Sequence, residues 1–161
     1  MHRNVKRVIA AAADLGLPVV TREFPEGTRT AEDAARAISC DVGQIVKSLV
    51  FVLDGAPVVA LVSGSNRLDE QRLAEALGGA TVGRADADTV RAATGFPIGG
   101  VPPFGHDTAL PTAIDEDLLG YDEVWAAAGT PRDVFALTPA DLVRVTTGAV
   151  APLRAATDPT R

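Results

Sequence analysis

Two runs rich in β-branched residues, Ile45–Leu53 and Pro57–Val62, flank the dipeptide Asp54-Gly55, and this constrains the fold more than any other feature. Asp-Gly between two such runs favours the positive φ angles of a tight hairpin turn. Both runs are almost continuously apolar instead of alternating, so the hairpin is expected at the centre of the molecule, covered on both faces. Lys47 interrupts the first run and is conspicuous for that reason.

The flanking chain supplies the cover. Val5, Val8, Ile9, Ala12 and Leu15 recur at helical spacing, and Gly16 and Pro18 stop that helix. Val19–Phe24 reads as a short strand. Thr30 caps a helix whose inner side carries Ala34, Ala35 and Ile38. Asp69 opens a helix holding Leu73, Ala76 and Leu77, which Gly78-Gly79 ends. Thr81-Val82-Gly83 predicts a strand, Asp86 or Asp88 starts a helix running to Thr94-Gly95, and strands are expected at Ile114, Val124–Ala127 and Phe135–Leu137. Thr138-Pro139-Ala140-Asp141 begins the last helix with a cap, a proline at the first helical position and an acid in the first turn. Interleaved helices with hairpin-joined strands predict an α/β fold of the α+β type, with a mixed sheet. One domain is expected over residues 1–150, followed by a flexible tail over 151–161, which is rich in Pro, Thr and Ala.

Aromatic residues are only 4 % of the chain, so Val, Leu, Ile and Ala have to fill the interior. The net charge of −6 argues against a protein that grips nucleic acid over its whole surface, because such binding relies on Lys and Arg neutralising phosphates. It leaves room for a local pocket that takes one RNA end. The single cysteine, Cys40, excludes an internal disulfide and a cysteine cluster for zinc. No apolar run approaches the roughly 20 residues of a membrane-spanning helix, and the first residues lead into an amphipathic helix, not a signal peptide. A cytoplasmic protein is expected.

Two places suit chemistry. Lys47 either snorkels from a strand edge, pairs with a carboxylate, or lines a pocket that receives an anion. The stretch Ala93–His106 packs four glycines and three prolines into a stiffened loop. It is either a connector that turns corners or a rigid presenter of main-chain N–H groups of the kind that stabilise an oxyanion. Other residues have plainer readings. His106 suits a structural hydrogen bond better than a general base, Cys40 a buried inert thiol, and Trp125 core packing better than stacking on a base. Asp115 either orients Lys47 or a loop N–H, or is a turn carboxylate at a strand end. Arg67, Arg72, Arg84 and Arg91 fit solvated helix faces.

Taken together, Val46-Lys47-Ser48-Leu49-Val50-Phe51, then Thr94-Gly95-Phe96-Pro97-Ile98-Gly99-Gly100-Val101-Pro102-Pro103-Phe104-Gly105-His106, Ile114-Asp115 and Ala128-Gly129 resemble the YbaK family over nearly the whole chain. Its members are free-standing aminoacyl-tRNA deacylases related to the editing insertion domain of bacterial prolyl-tRNA synthetase. The resemblance implies a compact, curved or barrel-like mixed sheet with helices packed outside, and no metal or organic cofactor. It maps the family's required lysine to Lys47 and its substrate-loop glycines to Gly99 and Gly100. Phe24, Ser48, Thr94, Gly95, Ile98, Val101, Pro102, Ala127 and Gly129 are the implied substrate contacts. The implied partner is the 3′ aminoacyl end of a mischarged tRNA, tRNA(Pro) carrying a small amino acid such as Cys or Ala, with docking on prolyl-tRNA synthetase and the oligomeric state left open. Phe24 and Ala127 stand where members that remove cysteine carry Tyr and Ser. Both changes delete a hydroxyl and put cysteine as the substrate amino acid in doubt.

The chain has no Ser-His-Asp signature and no metal ligands at usable spacing. The expected mechanism is therefore electrostatic. Lys47 holds a phosphate or carbonyl oxygen, the N–H groups around Gly99 and Gly100 face the oxyanion, and the substrate's own groups relay the proton. The alternative is a noncatalytic module that binds an aminoacyl-tRNA end or a synthetase.

Overall fold

The computed structural model describes residues 1–24 and 30–156. Its centre is the hairpin of β2 (Val46–Leu53) and β3 (Ala56–Ser63), closed by Asp54 and Gly55 at φ 49° and 87°. These are the angles of the turn whose twist matches the strands. Leu53 pairs with Ala56 and Val46 with Ser63. On the far side β2 pairs antiparallel with β4 (Val82–Arg84), and β3 pairs parallel with β5 (Thr112–Asp115), which pairs parallel with β8 (Ala149–Ala151). The result is a mixed five-stranded sheet ordered β4-β2-β3-β5-β8.

A second, antiparallel sheet of β1 (Thr21–Glu23), β7 (Asp133–Leu137) and β6 (Val124–Ala127) lies against it in the order β1-β7-β6. An isolated parallel bridge between Ile45 and Trp125 joins the two sheets at one corner. The curved or barrel-like sheet expected above is thus two sheets, bridged main chain to main chain at one point and packed together through a shared core.

Strand periodicity sorts the hairpin's side chains onto two faces. Val46, Val50, Val59 and Leu61 enter the main core with Val8 and Ala12 of α1 (Arg3–Asp14), Phe96, Phe104, Phe135, and Leu142 of α5 (Pro139–Thr146). Val58, Ala60, Val62 and Leu53 face the other way, against Leu73 and Ala74 of α3 (Glu70–Leu77). A third cluster seats Ala34, Ala35 and Ile38 of α2 (Ala31–Ile38) on Ile45 and Val134. The capping signals act as read: the Thr30, Asp69, Asp86 and Thr138 side chains accept from the N–H three residues on. Asp86, and not Asp88, caps α4 (Ala87–Thr94).

Three expectations need correction. β3 is covered on both faces, but β2 is not: Lys47, Ser48, Leu49 and Phe51 are only half-buried because a cavity opens beside them. The strand expected over Val19–Phe24 narrows to Thr21–Glu23, with Val20 85 % exposed. Residues 151–155 are not a loose tail. Ala151 ends β8, the Leu153 side chain is fully buried on Leu73, Arg154 bridges Leu68, and the Ala155 N–H donates to the Arg67 carbonyl at 2.7 Å. Three residues of strand at a sheet edge carry too little periodicity to announce themselves. Residues 157–161 of that expected tail lie outside the described residues.

Leu153→Ala is expected to cost about 2–5 kcal/mol, the range for emptying a packed leucine site, in urea unfolding. A change within about 0.5 kcal/mol, as for an exposed tail residue, overturns this packing role.

Candidate active site

The hairpin geometry fixes what β2 presents at its open edge. The Ile45 carbonyl accepts from the Gly64 N–H at 2.7 Å, on the β3 side, whereas the Asp54 N–H donates to the Thr81 carbonyl at 2.8 Å, on the β4 side. Main-chain groups alternate along a strand, so odd-numbered residues of β2 bond to β3 and even-numbered ones point away from it. β4 covers only Phe51–Leu53, and the bridge to Trp125 covers only Ile45. Between those two contacts, the outward edge of β2 at Ser48 has no paired strand among the described residues.

A cavity of about 830 Å³ opens at this gap, within the usual size range of ligand sites. Ser48 lines it, and its Oγ is buried without a hydrogen-bond partner among the described residues. A buried hydroxyl left unpaired is costly, which sets this atom apart among the residues lining the cavity.

Lys47 also lines the cavity, from the other face of β2. Its Nζ donates to the main-chain carbonyl of Asn66 at 2.5 Å. Burial pushes the ammonium's pKa below its usual 10.5, opposed by the negative charges of Glu32 and Asp115. Arg67 and Arg84 also line the cavity, with no ion pair among the described residues, as do Glu70 and Asp133. An acidic chain thus places three cations around one cavity.

The glycine–proline loop forms the opposite lip. Pro97–Gly100 is a turn in which the Gly100 N–H donates to the Pro97 carbonyl at 3.0 Å and Gly99 has φ +86°, the type II form that calls for glycine at its third position. Ile98 stands 58 % exposed at its corner. A Cβ on Gly100 would meet Thr130 Cα at 2.8 Å, so glycine here lets the turn lie on the Gly129-Thr130 backbone. Thr130 is itself a hub: its hydroxyl donates to Asp133 Oδ2 and accepts from the Arg132 and Asp133 N–H groups. The N-terminus of α1 clamps both segments. Arg7 donates to the Gly95 carbonyl, pairs with Asp107 at 2.9 Å and lies 4.3 Å over Phe96, while Asn4 donates to the Gly129 carbonyl.

Of the residues expected to be catalytic or to contact substrate, Lys47, Ser48, Ile98, Gly99, Val101 and Ala127 line the cavity together. The others do not, and their expected roles are corrected. The Gly100 N–H is used inside its own turn and is not a free oxyanion donor. Thr94 is fully buried, donating to the Val90 carbonyl and accepting from the Phe96 N–H, and Gly95 closes α4. The Pro102 carbonyl accepts from His106 Nε2 at 2.7 Å, Gly129 is packed on Asn4, and Phe24 sits under Arg22 beside α2. Phe24, Thr94, Gly95, Gly100, Pro102 and Gly129 thus build the scaffold around the cavity.

His106 has the structural bond expected of it, and burial lowers its pKa. Trp125 is not simply core: it lines the cavity, with the Arg22 guanidinium 5.5 Å from its ring. Arg67 and Arg84 belong to a loop and to β4, not to helix faces, while Arg72 and Arg91 stay on helices away from the site. Thr130 and Asp133 were missed, although Gly-Thr-Pro-Arg-Asp is a turn sequence whose threonine suits that hydrogen bonding.

A model of the aminoacyl-tRNA editing domain matches residues 25–145. The chain belongs to the aminoacyl-tRNA editing domain family. It is 31 % identical over 126 residues to EbsC of Enterococcus faecalis, named as a candidate Cys-tRNA(Pro)/Cys-tRNA(Cys) deacylase, covering 78 % of this chain and 77 % of that one. It is 34 % identical over 107 residues to the proline–tRNA ligase of Nitratidesulfovibrio vulgaris, spanning 66 % of this chain but only 18 % of the ligase. Among solved structures, a candidate trans-editing enzyme for prolyl tRNA synthetase superposes with a TM-score of 0.92 at 48 % identity, covering 97 % of this chain and 99 % of that one. The editing domain therefore occurs both free-standing and inside a larger ligase, and this chain matches the free-standing form almost end to end. No helix among its described residues is long and apolar enough to cross a membrane.

The lowered pKa of Lys47 sets a sign for stability. The folded state binds this proton less tightly than the unfolded state, so stability rises with pH through the lowered value and up to about 10.5. Lys47→Met removes that gain. In paired urea titrations between pH 7 and 10.5, wild type is expected to gain stability relative to the variant as pH rises; a constant or falling difference contradicts the buried ammonium.

Proposed function

We propose that this editing-domain protein hydrolyses the ester of a mischarged aminoacyl-tRNA in trans, with the 3′ aminoacyl-adenosine held in the cavity. What carries the reading is the meeting of three groups around one cavity: the Lys47 ammonium, the partnerless Ser48 hydroxyl and the Gly99 turn. Each suits an anionic or carbonyl oxygen, and together they suit an ester that becomes an oxyanion.

Lys47 attracts a phosphate or carbonyl oxygen as a point charge in a partly dry site. The Gly99 N–H has no partner among the described residues and replaces the donor lost at Gly100. The outward edge of β2 at Ser48 offers another N–H to the same cavity. Donors already held in place stabilise negative charge as it develops, with no rearrangement needed in the transition state. Water adds to the carbonyl carbon, the bond from carbon to the ribose oxygen breaks, and the proton released by water ends on that oxygen. No protein base is assigned: the Nε2 of His106 is tied to Pro102, and its ring lies outside the cavity. The substrate's own ribose hydroxyl or α-amine serves as the relay.

The relatives' names support tRNA(Pro) as carrier and a small amino acid as cargo. Ala127, Ala31 and Ala34 in the wall suit a compact apolar side chain. The cavity's size leaves room for the terminal adenosine as well, so volume alone does not choose between alanine and cysteine.

The test is single-turnover deacylation of tRNA(Pro) charged with Ala, Cys or Pro. Lys47→Ala is expected to slow release from the preferred mischarged species at least ~100-fold, the scale for losing one oxyanion-stabilising donor, with the fold intact by circular dichroism. Near-normal rates in that variant overturn Lys47's role. Binding of every species by wild type without release identifies a noncatalytic module instead.

A further inference from the structure

We infer that Asp115 is a positioning residue for Lys47, acting through Asn66, whose main-chain carbonyl it aims at the ammonium. The inference rests on the reading of Lys47 given above and goes beyond it in assigning how that side chain is held.

The sheet register brings the three residues together. Lys47 lies opposite Val62 on β3, and the β3–β5 register, in which Leu61 faces Ile114, places Asp115 beside Val62 one step further on. Lys47 and Asp115 therefore share one face, two strands apart. At roughly 4.8 Å per strand spacing, that is about 10 Å between their backbones. Asn66 occupies the space between them.

Asp115 is fully buried, and both its oxygens are used. Oδ2 accepts from the Ser63 N–H at 3.0 Å and from Asn66 Nδ2 at 2.9 Å, and Oδ1 accepts from the Asp117 N–H at 3.0 Å. The second Asn66 amide hydrogen goes to Asp117 Oδ2 at 2.8 Å. Two carboxylate acceptors fix which end of the amide carries nitrogen, and the side chain has no freedom left. The Asn66 N–H is likewise committed, to the Ser63 carbonyl at 2.9 Å. With side chain and N–H both pinned, the remaining carbonyl of Asn66 points at Lys47 Nζ.

That carbonyl is the ammonium's only described hydrogen-bond partner, and no carboxylate lies within ion-pair distance of Lys47 among the described residues. One of its three protons is anchored, leaving two for a ligand. An adjacent carboxylate would neutralise the charge; a carbonyl locates it without doing so. A turn at a strand end explains the bond from the Asp117 N–H, but an exposed Asn or Ser does that equally well. It does not explain a carboxylate taken wholly out of water, which is costly unless it is well paired. The charges facing the ammonium are Glu32 from α2, Asp115 from β5, and Arg67 and Glu70 around the start of α3, with Asp117 paired to Arg154 behind Asn66. Glu32 and Asp115 hold the Lys47 pKa up against burial, so removing the Asp115 charge lets it fall further.

The experiment compares wild type with Asp115→Asn, Asn66→Ala and the double variant Lys47→Ala/Asp115→Asn. Lys47 is followed by NMR titration of its side-chain carbon, and deacylation of mischarged tRNA(Pro) by kinetics. Asp115→Asn is expected to lower the Lys47 midpoint by at least ~0.5 unit and kcat by about 10-fold with KM within about twofold, the pattern of a lost transition-state interaction. Adding it to Lys47→Ala should cost nothing more. Asn66→Ala, which keeps the carbonyl but frees it, should reproduce the kcat loss without the full midpoint shift. An unchanged Lys47 midpoint in folded Asp115→Asn overturns the proposal whether or not turnover is seen, as does an additive loss in the double variant. If Asp115→Asn does not fold, undiminished kcat in Asn66→Ala overturns it. Should wild type release no amino acid, the reading of the reaction fails, while the midpoint still decides the link to Asp115.

Discussion

The site depends on a gap in hydrogen bonding. β2 is bonded along its whole length to β3, but its other edge is left open between Ile45, where the second sheet touches it, and Phe51, where β4 begins. In a closed barrel those main-chain groups would be paired and the space filled by side chains. Here the two sheets share a core but are bridged main chain to main chain only at Ile45, and the cavity is the wedge left beside β2. Its polar lining follows from strand geometry: the main chain of β2 is unpaired on its outward side at Ser48, while Lys47 and Ser48 reach the wedge from opposite faces of the same strand.

Around this gap the structure separates scaffolding from contact. α1 holds the glycine–proline loop and the Gly129-Thr130 segment in register through Arg7 and Asn4, and Gly100 and Gly129 allow backbone to lie on backbone. Most of the conspicuous loop residues serve this assembly. What the loop offers the cavity is small, the Gly99 turn with Ile98 and Val101 beside it. Under the proposed reaction that stiffness matters, because a donor acts on developing charge only when its orientation is fixed beforehand. The surrounding charges work at longer range. In a chain of net charge −6, Lys47, Arg67 and Arg84 gather at one cavity beside Glu70 and Asp133.

Much of the fold is local and was legible for that reason. Helix caps at Thr30, Asp69 and Thr138 act over three residues, and the Asp54-Gly55 turn sets the hairpin register by itself. Lys47 was legible because an ammonium inside an apolar strand demands a reason. The roles of Gly100 and Thr94 were not, because such residues read the same whether they face a ligand or main chain, that of residues 129 and 130 for Gly100 and of residues 90 and 96 for Thr94. Arg67 and Arg84 looked like ordinary surface charge, and Trp125 like core, since the wall they share exists only after both sheets are placed. Leu153 follows a three-residue strand too short to show a period, yet its side chain is sealed against α3.

The sequence by itself determined the elements, the central hairpin and the one residue whose chemistry is out of place there, because propensity, capping and hydrophobic period act between near neighbours. The tertiary structure decided which amides stay unpaired, which loop residues turn inward, and how Lys47 is held. Those depend on where distant strands stop pairing and on a carboxylate far along the chain, Asp115, lying two strands away on the same face. No local pattern encodes that distance; only the closing of the sheet fixes it.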